Sequence, residues 1–201
     1  MSTPAARESA ALKLEAASPT SLPSNPSEPT SLNIPPASFW EPFVLAPRDK
    51  RSDAPRSLET AEGVGDRLRA AAFAEIQARE AFLWAASEFT DAPEPLKRAW
   101  IALSQAEDRH LQWLLQRMSE LNIDVKGRKV SDYLWISLVT CKSAREFALY
   151  MASAEERGRK AGVRFQQALQ ATDSKTANIF GKIAEEEVAH IALAEKYFPA
   201  Q

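Results

Sequence analysis

Both histidines in this chain close the same four-residue segment, Glu107-Asp108-Arg109-His110 and Glu187-Val188-Ala189-His190, and they stand 80 residues apart (190 − 110). Two further glutamates keep the interval. Glu75 and Glu155 are also separated by 80, and each precedes the glutamate of the next segment by 32 (107 − 75 and 187 − 155). Such spacing reads as two copies of one unit related by a pseudo-twofold axis, each offering a lone glutamate and then a Glu-x-x-His. Residues at i and i+3 are neighbours on a helix, so each Glu-x-x-His presents both side chains on one face.

The surrounding periodicity says which face that is. Trp100, Leu103, Glu107, His110, Leu114 and Leu121 share one helical stripe, and Phe180, Ile183, Glu187, His190, Ala194 and Tyr197 share another. Leu68, Ala71, Glu75, Ala78 and Phe82 form a third, and Met151, Glu155, Gly158, Gly162, Phe165 and Leu169 a fourth. Glu156 falls with Arg159, Lys160 and Gln167 on a polar side. Scarce Gly and abundant Ala, Leu, Glu and Arg favour helix, so the expected class is all-α.

Four helices are expected. The first starts at Asp66, read as an N-cap after Gly63 and Gly65, and runs to about Thr90 before Pro93 and Pro95. The second spans Pro95 to Leu121, ending before a turn containing Gly127. The third covers Ser143 to Ala171, and the fourth runs from an Asp173 cap to Tyr197 ahead of Pro199. Between the second and third, Tyr133 to Val139 forms a helical turn that packs Leu134 and Trp135 over one end. Short loops make the arrangement an antiparallel bundle.

Ten of the thirteen prolines lie before residue 56, so residues 1–56 read as a Pro/Ser-rich arm and residues 57–201 as the bundle. Ala5 to Ala17 has the pattern of a short amphipathic helix, and Phe39, Trp40, Phe43, Val44 and Leu45 form an apolar cluster expected to dock on the bundle.

Charge decides what the inward-facing acids require. Four carboxylates enclosed in one bundle repel one another and lose their hydration, at several kcal/mol each unless neutralised. Two divalent cations supply the four compensating charges. Each Glu of a Glu-x-x-His can bridge both ions while its His binds one. Oxygen and imidazole donors without thiolate suit iron or manganese, and affinity order alone leaves zinc open. Cys141, the only cysteine, excludes a thiolate-rich site and an internal disulfide. The candidate ligands are Glu75, Glu107, His110, Glu155, Glu187 and His190.

These residues resemble the ferritin-like di-iron carboxylate superfamily, in which two helices each give one Glu and two others each give Glu-x-x-His. The resemblance covers about Arg67 to Phe198. Within it the chain is most similar to the bacterial branch called domain-of-unknown-function family 455, whose relatives include a tRNA hydroxylase. It does so through Glu75-Ile76-Gln77-Ala78, Glu107-Asp108-Arg109-His110-Leu111, Leu134-Trp135, Glu155-Glu156-Arg157-Gly158, Ile183 to His190, and Tyr197-Phe198. Where that branch often carries extra histidines, near its first glutamate and after the second helix, this chain holds Phe73 and Ser131.

The resemblance implies a ferritin-like four-helix bundle with two Fe ions, or Mn or a mixed Mn/Fe pair. It implies bridging by Glu107 and Glu187, terminal His110 and His190, and terminal Glu75 and Glu155 that shift to open a coordination site. The implied activity is a non-haem di-iron oxidoreductase that uses dioxygen to hydroxylate or oxidise an organic substrate with an external electron donor. The alternatives are a ferroxidase or iron-handling protein and a metal-stabilised structural bundle. A storage cage fits poorly with the proline-rich arm and the absence of a long fifth helix; a homodimer suits both the oxidoreductase and the ferroxidase. The net charge of −2 gives no support to nucleic acid, including tRNA, as a partner. No secretory leader pattern and no run of about eighteen apolar residues appear, so the expectation is a soluble cytoplasmic protein.

Several residues have plainer readings. Glu80, Glu156, Glu185 and Glu186 read as solvated charges, with Glu186 the strongest rival ligand because it is aligned with His190 at i+4. Trp84, Trp100, Trp113, Trp135, Tyr133 and Tyr150 read as core, Cys141 as an inert buried thiol, and the Arg157 to Lys160 run as a solvated face. Gly158 and Gly162 either leave room beside the metals or allow close helix packing.

Overall fold

The computed structural model describes residues 35–48 and 54–199. Among them the regular structure is helical: α1 (Ala61–Glu88), α2 (Glu94–Glu120), the short α3 (Tyr133–Val139), α4 (Ala144–Leu169) and α5 (Ser174–Tyr197), with 3-10 turns at Ala37–Trp40 and Val125–Gly127. The expected Ala5 to Ala17 helix and the prolines up to Pro29 lie outside the described residues.

α1 begins five residues before the Asp66 expected from sequence. Thr60 is the cap, its hydroxyl accepting the Gly63 N–H at 3.0 Å. Gly63 and Gly65 are not helix breakers but points of close approach. A Cβ on Gly63 would fall 1.7 Å from the Ser57 carbonyl oxygen, and one on Gly65 3.3 Å from Ile123 Cγ2. Asp66 is instead a buried anchor, 5% exposed. It accepts hydrogen bonds from the Arg56 backbone at 3.0 Å and from the Arg56, Arg69 and Arg128 guanidinium groups.

The other boundaries follow their local chemistry. Pro95 occupies the first turn of α2, where its missing N–H has no intrahelical partner to lose. Ser143 caps α4 by accepting from Glu146 N at 3.2 Å, while Glu146 Oε2 accepts from Lys142 N at 2.7 Å. Asp173 caps α5 by accepting from Thr176 N at 3.1 Å.

Two antiparallel hairpins, α1/α2 and α4/α5, pack tightly within themselves and meet across two narrower seams, α2 against α5 and α1 against α4. The result is an antiparallel four-helix bundle. Arg117 ties the end of α2 to the start of α5, donating to Thr176 Oγ1 and Asp173 Oδ1, each at 2.8 Å. An aromatic block fills one end: the ring of fully buried Phe147 lies 5.2 Å from Trp100 and 5.7 Å from Phe89.

The apolar cluster before the bundle docks as expected, through Trp40, Phe43 and the half-buried Leu45. Trp40 and Phe43 are buried, with Trp40 5.6 Å from both Phe73 and Trp135, whereas Phe39 and Val44 are exposed. A single bridge joins this segment to the loop before α3, with Val130 N donating to Val44 O and Ala46 N to Val130 O. α3 does not cover an end of the bundle. It lies beside the middle of α1, where Gln77 Oε1 accepts from Trp135 N at 3.0 Å. That places Leu134 against the α1–α4 seam, next to Glu75. Tyr133, read as core, is 62% exposed.

Candidate metal centre

Each of the four long helices brings one acid to the same level of the bundle. Glu107 on α2 and Glu187 on α5 are buried, as are His110 and His190 one turn further along, because all four continue the apolar stripes that face inward. Glu75 on α1 and Glu155 on α4 reach the same point, their side chains 13% and 8% exposed. All six residues singled out in the sequence converge.

They form two overlapping clusters: Glu75, Glu107, His110 and Glu187, and Glu107, Glu155, Glu187 and His190, each with its donor atoms within 4.8 Å of one another. Glu107 and Glu187 belong to both. His110 Nδ1 lies 3.7, 3.6 and 3.5 Å from oxygens of Glu75, Glu107 and Glu187. His190 Nδ1 lies 2.9 Å from Glu107 Oε1, 3.4 Å from Glu187 Oε2 and 4.0 Å from Glu155 Oε1.

The orientation of these atoms matters more than their distances. Glu107 Oε1, Glu155 Oε1, Glu187 Oε2 and both histidine Nδ1 atoms are buried and make no hydrogen bond. Even the 2.9 Å approach of His190 Nδ1 to Glu107 Oε1 is not aligned as one. Buried polar atoms left unpaired cost roughly 1–3 kcal/mol each and more when charged. Lone pairs aimed at a shared point rather than at each other fit cations. The residues present could hold metal in both clusters.

Proton affinities register the same crowding. Burial, reinforced by the charges of Glu107 and Glu187 and opposed by His110, pushes Glu75 well above the usual carboxylate range. Burial and then the charges of Glu187 and Glu107 do the same to Glu155. For Glu107 burial acts upward too, but contacts with His110 and His190 outweigh it and hold the carboxyl at about 2. The histidines go the other way. Burial opposes their protonation, yet the facing carboxylates push His110 up to about 12 and His190 to about 10. Without metal, protons take the place that cations would fill.

Glu186, read as a solvated charge and as a rival ligand through His190, does neither. Its Oε2 lies 3.0 Å from Nε2 of His110, across the α2–α5 seam, and 3.4 Å from Arg109 NH2. With its outer nitrogen so engaged, the His110 ring is held with Nδ1 toward the carboxylates. Periodicity within α5 could not reveal this, because the partner is on another helix. Glu156 is where the sequence puts it, bound on the outside to Arg159 and Lys160.

A cavity of about 320 Å³ opens onto the cluster between α1 and α4, with Glu75, Glu107, Glu155 and Glu187 in its wall beside Leu134 and Met151. Gly158 and Gly162 part company here. A Cβ on Gly162 would press on the Phe180 carbonyl oxygen at 3.2 Å, so this glycine serves close packing of α4 on α5, whereas nothing lies within 4 Å of a Cβ on Gly158. Phe73 and Ser131, at the places where histidines were looked for, are respectively packed 5.0 Å from Phe43 and joined through a backbone carbonyl to Gln77. Buried Cys141 has its thiol pushed up to about 11 by burial, as an inert thiol should. Among the described residues no helix is long and apolar enough to cross a membrane.

A family model described as protein of unknown function (DUF455) matches residues 3–200. No curated protein and no solved structure matches the chain.

Proposed function

The chain belongs to the DUF455 family, and from the site it carries we propose a non-haem di-iron oxidoreductase that uses dioxygen to hydroxylate or oxidise an organic substrate. The observation that supports it is the set of buried, unpaired oxygen and imidazole atoms on Glu107, Glu155, Glu187, His110 and His190, converging without hydrogen bonds. Four carboxylates and two imidazoles without thiolate favour iron, with manganese next.

Bound iron would supply one-electron chemistry and open positions for dioxygen, which no side chain here offers. The chain's own part is to hold the ions and to line the approach to them. Glu107 and Glu187, common to both clusters, would serve either ion, with Glu75 and His110 completing one set of donors and Glu155 and His190 the other. All four carboxylates line the cavity and neither histidine does, so a substrate there would approach the centre from its acid side rather than from the α2–α5 seam. Met151, Phe180 and Ile183 would give a substrate on that side an apolar lining. In hydroxylation one oxygen atom enters the substrate and the other leaves as water, consuming two protons and two electrons from an external donor. An apolar cavity favours an organic substrate over an iron-storage role, since entering cations need acidic or carbonyl-lined steps.

Elemental analysis tests the reading. Protein expressed with adequate iron should hold about two metal ions per chain, as the dinuclear bundles of this kind do. Glu187→Ala should remove most of that metal, and Glu156→Ala should leave it unchanged. Wild-type content far below two ions overturns the proposal.

A further inference from the structure

Eight positions before Glu75 on α1, about two turns away along the helix, Arg67 lines the same cavity. Its NH1 is buried and bonded to nothing, and among the described residues no carboxylate pairs with it. Its guanidinium carbon lies 5.7 Å from the centroid of the Phe165 ring on α4, which holds the group at the wall. Between this cation and the carboxylate cluster the lining is small and apolar, with Ala71, Ala74, Gly158 and Ala161 leaving the space and Phe165 and Phe180 closing it. Leaving a buried guanidinium N–H unpaired is unfavourable, and an anion beside it in the cavity would relieve that cost.

From this placement we propose that the cavity takes an apolar carboxylic acid, its carboxylate paired with Arg67 and its hydrocarbon body directed along α1 toward Glu75 and Glu155. The proposal deepens the oxidoreductase reading and rests on it for what happens at the cluster, though not for binding. Eight residues of helix rise by roughly 12 Å, which matches a body of about eight to ten carbons between the head group and the cluster. A guanidinium offers two parallel donors to a carboxylate, whereas an alcohol accepts one and an amine is repelled. Gly158 is the gap that admits the body. Nothing would meet a Cβ there, so a larger side chain fills the cavity without straining the helix.

The test is calorimetric titration of the metal-loaded full chain with octanoate, octan-1-ol and octylamine, alongside elemental analysis of the same samples. Octanoate should bind about tenfold more tightly than the alcohol, with the amine weakest, as expected when a charged hydrogen bond is gained. Arg67→Gln should remove the preference of acid over alcohol while leaving metal content unchanged. Gly158→Leu should weaken acid and alcohol alike by tenfold or more, again with the metal retained. Equal affinity of acid and alcohol in the wild type, or an acid preference that survives Arg67→Gln, overturns the inference. Metal at two ions per chain with no binding of octanoate overturns it and spares the proposed function; acid binding that depends on Arg67 in a chain without metal does the reverse.

Discussion

Removing the Glu186 carboxylate should weaken one metal position and not the other. The asymmetry is built into the two histidines. His110 Nε2 lies 3.0 Å from Glu186 Oε2, while among the described residues His190 has no carboxylate on its outer nitrogen. Partners of this kind fix the ring and raise its basicity, and their loss typically lowers metal affinity 10- to 100-fold, about 1.4–2.7 kcal/mol. Two features place Glu186→Ala near the lower bound: the side chain is 31% exposed, and it shares its charge with Arg109 at 3.4 Å. The expected loss is therefore about tenfold, at the cluster containing His110 and Glu75. Titrating loaded protein with a chelator and measuring the metal retained should show a single step in the wild type become two in the variant. Glu186→Gln, which keeps an acceptor oxygen, should fall between them. Equal weakening of both positions, or no change, would refute the role given to this carboxylate.

Asp66→Ala should be severely destabilising, because it leaves buried Arg69 and partly buried Arg128 without their shared anion. Loss of one partner from a buried ion pair costs about 3–5 kcal/mol, and here the lower figure applies because Arg69 also donates to the carbonyls of Val125 at 3.0 Å and Asp124 at 2.6 Å. The expected fall in Tm is about 6–12 °C. Hydrogen bonds from Arg56 hold the Asp66 carboxyl well below its ordinary range. Its contribution is thus complete above the unfolded-state value, about 3.9, and fades as pH falls further toward the folded value, so the gap between wild type and variant should narrow below about pH 4; a gap that widens there contradicts the assignment. The two kinds of glycine should answer alanine with opposite signs in thermal denaturation. Gly63→Ala drives a Cβ to 1.7 Å from the Ser57 oxygen and should lower Tm, whereas Gly158→Ala meets nothing and should raise it by about 2 °C through helix propensity. Loading metal at pH 7 should release at least two protons per chain, from His110 and His190, whose values the facing carboxylates raise to about 12 and 10. Apparent affinity should accordingly rise with pH, and proton-neutral binding in a weakly buffered titration would contradict it.

What the sequence disclosed and what it withheld follow from the range of each interaction. The six converging side chains were legible because each is carried by the periodicity of its own helix: Glu107 and His110 repeat the stripe of Trp100 and Leu114, and burial follows from that phase. The Asp173 cap was legible because its side chain bonds only three residues away. Asp66 looked like another cap and is not one, because its partners Arg56 and Arg128 come from elsewhere in the chain. Gly63 and Gly65 looked like punctuation for the same reason: the Ser57 carbonyl and Ile123 side chain that require them are tertiary contacts. α3 was recognised as helical but misplaced, since what sets it beside α1, the hydrogen bond from Trp135 N to Gln77 and the packing of Trp135 on Trp84, is contact between elements. Glu186 and Arg67 share that limit. Each acquires its meaning across a seam between helices, where the period of one helix carries no information.

The near-repeat of 80 residues does not extend to the two seams, and the difference gives the molecule a front and a back. On the α2–α5 side, His110 is fully buried, its ring lies 5.4 Å from Trp113, and Lys182 covers that indole at 4.0 Å. Glu186 and Arg109 close the remainder. On the α1–α4 side about half of the lining residues are alanines and glycines, and the space they leave is the cavity. A bundle that only stored cations would gain nothing from making one seam aromatic and tightly closed and the other small and apolar. The proposed oxygen-using centre would require that division: imidazole donors held on the packed side, and the four carboxylates facing the cavity on the open one.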